Sequence, residues 1–213
     1  MIRLYKLPKP PVLAANEDQW TNDYLGHSPP IPDSVRFRYR RPEINATIRA
    51  ETHDKCAYCE SRMRHVDSGE VDHLLPVSTR PQLIYQWENL TFVCHQCNSA
   101  KRNYDDPDHP LIHPYDDNPE DHILFVGPMA VNEPTSLLGQ RSIRRLKLNR
   151  PALLEERKEQ LQRLQDLINT WAALPDNSDK QLCHQEIVTF AESDSEYAAA
   201  ARFFLRFHGL LSE

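Results

Sequence analysis

Apolar positions change their spacing several times along this chain, and each change marks an element. Between Pro42 and about His53, Ile44 and Ile48 recur four apart with Thr52 next on the same face. That spacing predicts a helix with the proline in its first turn. Glu70 to Leu75 and Leu90 to Val93 are short runs that predict strands, the first ended by Pro76, and Asn98 to Tyr104 reads as the start of a helix. Val35-Arg36-Phe37-Arg38-Tyr39-Arg40-Arg41 alternates, which on a strand would put Phe37 and Tyr39 on one face and arginines on the other. Such a face could track phosphates or protect a solvated edge.

The last third is helical in pattern. Asn149 is placed to cap and Pro151 to open a helix whose stripe of Leu153, Leu154, Leu161, Leu164, Leu167, Ile168 and Trp171 runs until Pro175. Ser178 to Glu192 predicts a second helix. Ser193 and Glu196 have capping-box spacing for a third, with Tyr197, Ala201, Phe204, Leu205 and His208 on one face and Gly209 as its stop.

Prolines outnumber glycines 17 to 5 and gather in residues 8–42 and 107–134, which argues for extended, docked segments. Residues 1–34, with Leu4, Tyr5, Trp20 and Tyr24, read either as a strap across their own domain or as a surface that docks a partner. Residues 61–69 read as a polar turn and 77–88 as a loop. Residues 105–134 read as a loop-rich wrap containing a strand at Leu124-Phe125-Val126. His109, His113, Asp116, Asp117 and His122 are open to a second metal reading, but irregular spacing among prolines favours turn chemistry. The expected division is a proline-rich amino-terminal arm (1–45), a central core with its wrap (46–134) and a helical region (135–213).

Composition narrows the class. A 213-residue chain that is 39% hydrophobic and 26% charged reads as globular. No apolar run approaches the roughly 20 residues of a membrane span, and the amino terminus lacks a signal-peptide core, so a cytoplasmic protein is expected. Four of the five cysteines form two Cys-x-x-Cys pairs, Cys56/Cys59 and Cys94/Cys97, a spacing suited to one tetrahedral Zn²⁺. Tyr85 and Trp87 are expected to cover that site. Cys183 is left over in a helix and reads as a small packing residue.

Between the two pairs lies Glu70-Val71-Asp72-His73, and Asn98 directly follows the second. A zinc ribbon does not need these residues. With Val71-Asp72-His73-Leu74-Leu75-Pro76, Glu88-Asn89-Leu90 and Cys94-His-Gln-Cys97-Asn98-Ser-Ala-Lys101 in this order, the chain resembles the HNH, or ββα-metal, endonuclease family. The whole length, including Pro114 to His122, resembles the HNH subunit of Septu and retron-associated anti-phage systems. The resemblance implies an α+β fold: a ββα-metal HNH core with a four-cysteine zinc knuckle, an extended amino-terminal arm and a helical carboxy-terminal region. It further implies that His73 is the general base, that Asp72 and Asn98 ligate a catalytic Mg²⁺ or Mn²⁺, and that Asn89 braces the loop that orients His73. Asn98 stands where the family often has histidine, and His95 is the nearest alternative ligand.

The implied activity is hydrolysis of phosphodiesters, in DNA first, with RNA such as tRNA left open, inside a defence complex whose other half is an ATPase. A rival from another class is a non-catalytic zinc-ribbon module bridging a partner to nucleic acid. The formal charge of −6 opposes any polyanion ligand unless basic residues cluster or a partner supplies the grip. Lys101 and Arg102, or Arg141, Arg144 and Arg145, are the candidates for phosphate contact, each with a solvated-face alternative.

Overall fold

The computed structural model describes residues 1–63 and 68–212; residues 64–67 of the expected polar turn lie outside the described residues. The chain begins extended. Met1, Ile2 and Leu4 are buried, Leu4 N–H donates to the Pro114 carbonyl (2.8 Å), and Tyr5 points outward. Two residues on, Leu7 N–H donates to Glu51 Oε1 (2.8 Å), while the Lys6 ammonium lies 4.4 Å from the ring centres of both Trp87 and Tyr115. The strap reading of this segment therefore describes its packing.

Short helices α1 (Pro11–Ala14), α2 (Glu17–Gly26) and α3 (Asp33–Arg36) follow, then a 3₁₀ turn at Arg38–Arg40 and helix α4 (Pro42–Glu51). The strand expected at 35–41 does not form. Val35 and Tyr39 are both buried, and a four-residue repeat is helical, so the arginines leave from the outer side of two turns. Alternation over seven residues could not distinguish the two periods.

The central unit is an antiparallel pair, β1 (Glu70–His73) and β2 (Leu90–Val93), in the register Glu70↔Val93 to His73↔Leu90, followed by helix α5 (His95–Lys101). Gly69 leads into β1 with φ +70°, and a β-carbon there would collide with the Phe92 ring, so both backbone and space call for glycine. The helix starts three residues earlier than expected because Cys94 itself caps it, its sulfur accepting from Cys97 N–H at 3.4 Å.

Tyr85 and Trp87 do not cover the cysteines. They pack with Trp20, Ile44, Ile48, Val71 and Phe92 in a core against the opposite face of the strand pair. The cysteines belong to a second core with Ile112, Phe125, Leu148, Leu153 and Tyr197.

The wrap contains a hairpin, β3 (Ile123–Val126) and β4 (Met129–Asn132), of which only the first strand was expected, and α6 (Leu137–Arg145) packs on it. Helices α7 (Pro151–Ala173), α8 (Ser178–Thr189) and α9 (Ala198–Phe207) form the carboxy-terminal region around Leu161, Leu164, Ile168, Ile187 and Leu205. Two expected caps are used otherwise. Asn149 clamps the hairpin through Ala130 N (2.8 Å) and O (2.7 Å), and Glu196 accepts from Arg62 N–H (2.7 Å) while α9 starts only at Ala198.

Candidate active site and zinc knuckle

Each Cys-x-x-Cys segment is held by backbone bonds before any metal is considered. Cys56 N–H donates to Ser61 O and Ala57 N–H to Phe92 O, both at 2.9 Å, which fixes the first turn against β2. The second turn is the start of α5. The four ligand atoms all lie within 4.8 Å of one another, and Cys59 Sγ is 3.8 Å from Cys94 Sγ. Four sulfurs at about 2.3 Å from a tetrahedral ion sit about 3.8 Å apart. The geometry and the buried, all-thiol donor set fit structural zinc. Arg150 reaches in from the start of α7, its Nη2 3.4 Å from Cys59 Sγ and its Nη1 3.6 Å from Cys97 Sγ, so a guanidinium offsets part of the thiolate charge.

His109, His113, Asp116, Asp117 and His122 make no such cluster among the described residues. His109 and His113 bond within their own turns, His109 Nδ1 to Asp106 (3.1 Å) and His113 N–H to Asp117 Oδ2 (2.7 Å), while His122 Nδ1 lies 2.9 Å from Ser136 Oγ.

The alternation of β1 separates the candidate groups. Val71 and His73 face the core that contains Tyr39 and Ile84, and Glu70 and Asp72 face α5. His73 Nε2 is 2.8 Å from the Ile84 carbonyl and its ring meets Tyr39 edge-on at 4.6 Å. A carbonyl only accepts, so Nε2 carries the hydrogen and Nδ1 is the basic nitrogen. Burial, with help from the nearby Lys101 and Arg40 charges and against the Ile84 bond, pushes the imidazole down to about 4, so it is neutral at pH 7.

Asn89 holds that arrangement from behind. Its Oδ1 accepts from Leu75 N–H (2.7 Å), and its Nδ2 lies 3.0 Å from Leu75 O and 3.2 Å from Leu83 O. It thus ties both ends of the 75–83 loop, one residue before the carbonyl that orients His73.

Asp72 is buried, and burial pushes its carboxyl up against the opposing pull of Lys101. Lys101, expected to contact phosphates, is 3% exposed; its Nζ sits 3.1 Å from Asp72 Oδ2 and 2.6 Å from His73 O. The Asn98 amide is oriented by a 2.6 Å bond from Nδ2 to Glu70 Oε2, and Glu70 Oε1 is 2.8 Å from His95 Nδ1. Asp72, Asn98 and Glu70 give a hard-oxygen donor set suited to Mg²⁺ or Mn²⁺, with Asp72 shared with an ammonium. Glu70 was not singled out from the sequence, though the two-residue alternation with Asp72 placed it on the same face.

These groups share a cleft of about 610 Å³, lined by Asp72, His73, Asn98 and Lys101 together with Arg36, Arg40 and Arg102. Arg141, Arg144 and Arg145 do not line it. Arg141 Nε donates to Pro110 O (3.2 Å) and Arg145 Nη2 to Lys101 O (2.8 Å), leaving Arg144 exposed.

The HNH endonuclease family model matches residues 56–104, the stretch that holds the strand pair, the capped helix and the knuckle. Beyond it, the chain is 33% identical over 124 residues to Septu protein PtuB of Bacillus thuringiensis, covering 58% of this chain and 46% of that protein. It is 27% identical to Septu protein PtuB of Bacillus mycoides strain KBAB4, covering 56% of this chain and 51% of the relative. The chain thus spans about half the length of the curated relatives it matches. Among the described residues no helix is long and apolar enough to cross a membrane.

Proposed function

We propose that the protein is a metal-dependent HNH endonuclease that hydrolyses phosphodiester bonds, DNA before RNA, as the nuclease of an anti-phage defence complex with an ATPase partner. The observation that carries the chemistry is the tautomer of His73: Nε2 bound to Ile84 O leaves a neutral Nδ1 in the same cleft as Asp72 and Asn98. A phosphodiester resists water because its oxygens are negative and its leaving alkoxide is poor, and a bound Mg²⁺ or Mn²⁺ would supply charge beside that oxygen. His73 Nδ1 takes the proton of the attacking water. Asp72 and Asn98 would hold the cation, and Glu70 keeps the Asn98 amide turned with its oxygen available. The names of the two relatives support the defence setting; the partner rests on the resemblance of this sequence to two-component systems of that kind.

The test is nicking of plasmid DNA and cleavage of total RNA with Mg²⁺ or Mn²⁺, by the wild type and by His73→Ala, with zinc content measured on both. Loss of cleavage by a factor of about 10³ with zinc retained is expected for removal of a general base that the rest of the site depends on. Cleavage at the wild-type rate in the variant would end the assignment. A second reading, a silent zinc module that bridges a partner to nucleic acid, is favoured by one observation, the ion pair that already neutralises Asp72. It requires no divalent-dependent cleavage from either form.

A further inference from the structure

We infer that Arg36 and Arg40 form a phosphate-binding wall that seats a nucleic-acid strand across His73; the inference rests on the nuclease reading above and deepens it. Both side chains line the cleft that holds Asp72 and His73. They leave from the two helical turns where the sequence suggested a strand, four residues apart and hence on one side of the chain.

The wall is fixed to the catalytic centre. Tyr39, between the two arginines in sequence, packs its ring against His73, and the Val35 carbonyl accepts from the Tyr85 hydroxyl. Moving this wall would therefore disturb the base.

The two guanidiniums share one aromatic support. The Phe37 ring lies 5.1 Å from the Arg36 guanidinium and 4.1 Å from that of Arg40. Stacking on an aromatic face restrains the plane of a guanidinium and leaves its N–H edge free for paired bonds to phosphate oxygens. Both arginines are exposed, and no carboxylate among the described residues lies within ion-pair distance of either. Their neighbour Arg38 differs: it is committed to Asp23 at 2.7 Å. Arg102, which lines the same cleft from the end of α5, is likewise exposed, and among the described residues its side chain bonds only to a backbone oxygen, Ser99 O at 3.3 Å. Three exposed arginines thus line one cleft, beside Glu70 and Asp72, in a chain whose net charge is −6.

The experiment measures binding of a short labelled DNA duplex and of a labelled RNA hairpin as a function of salt, in the full chain with His73→Ala to prevent turnover. The double substitution Arg36→Gln with Arg40→Gln should weaken binding by more than about ten-fold at low salt. It should also make the slope of log affinity against log salt shallower by about two, one for each phosphate no longer neutralised. Arg36→Lys with Arg40→Lys should keep most of the slope, which a merely structural role would not do, and zinc content should be unchanged throughout. A change with DNA alone, RNA alone or both supports the wall and names its substrate. Wild-type affinity and slope in the glutamine pair, or absence of salt-dependent binding by the unsubstituted wall, overturns it. So does a loss confined to a variant neutralised at Arg141, Arg144 and Arg145. The nuclease reading fails separately, through full cleavage by the single His73→Ala protein.

Discussion

His73 and Asp72 are neighbours in sequence and opposites in environment. Burial keeps the imidazole neutral despite its bond to the Ile84 carbonyl, whereas burial raises the carboxyl of Asp72 against the pull of Lys101. Asn89 matters to the first because it sets the loop that carries the Ile84 carbonyl. Asn89→Ala should therefore lower cleavage by roughly 10- to 100-fold, in the range of losses seen for groups that orient a site from behind, with zinc still bound. Cleavage at the wild-type rate would show that the loop keeps its shape without the side chain. Lys101 matters to the second. Lys101→Met strands a buried carboxylate and should cost about 3 kcal/mol in urea unfolding without divalent cation. Added Mg²⁺ should recover part of that loss, and a variant as stable as the wild type would mean that Asp72 is readily protonated or hydrated where it stands.

At the scale of elements, what could be read from sequence was whatever local chemistry enforces. Ile44 and Ile48 gave α4, and the short runs Glu70 to Leu75 and Leu90 to Val93, with a helix start at Asn98, gave the order strand, strand, helix. The failures share a cause, because each required knowing what packs from elsewhere. Asn149 has the composition of a cap, yet it bonds a hairpin 19 residues away in sequence, and Tyr85 and Trp87 went to the other core. Lys101 has the composition of a solvated helix residue, but the helix turns it onto β1. Arg150 shows the same limit: nothing in its neighbourhood along the chain says that the start of α7 meets the cysteines. Its Nη2 lies 3.4 Å from Cys59 Sγ, so Arg150→Gln should leave one zinc per chain but speed its loss to a chelator by roughly 10-fold. An unchanged release rate would make the guanidinium incidental to the metal.

Across the whole molecule, a carboxylate ties the carboxy-terminal helices to the wrap, beside the core that Ile123 and Phe125 share with Ala198 and Ala199. Glu120, just ahead of β3, receives Arg202 at 2.7 Å and Arg206 at 2.8 Å, both from α9. Burial would raise its carboxyl, but the two guanidiniums outweigh burial and hold it below the usual range. The sign of the pH dependence follows. An unfolded chain, with Glu120 near its ordinary value of about 4.3, binds a proton there before the folded one does, so the contribution is complete above that pH and is lost as pH falls through the lower folded value. Glu120→Gln removes the charge without changing the shape. The variant should be about 1 kcal/mol less stable than the wild type at neutral pH, a modest figure because the pair is only half-buried. The gap should narrow as pH drops below about 4.3, where the wild-type carboxylate also becomes protonated. Denaturant unfolding of both proteins across that range checks it, and comparing the two at each pH cancels losses common to them, such as release of zinc as thiolates protonate. A gap of constant size would mean that Glu120 contributes through packing rather than charge, and the link between wrap and helices would then be steric.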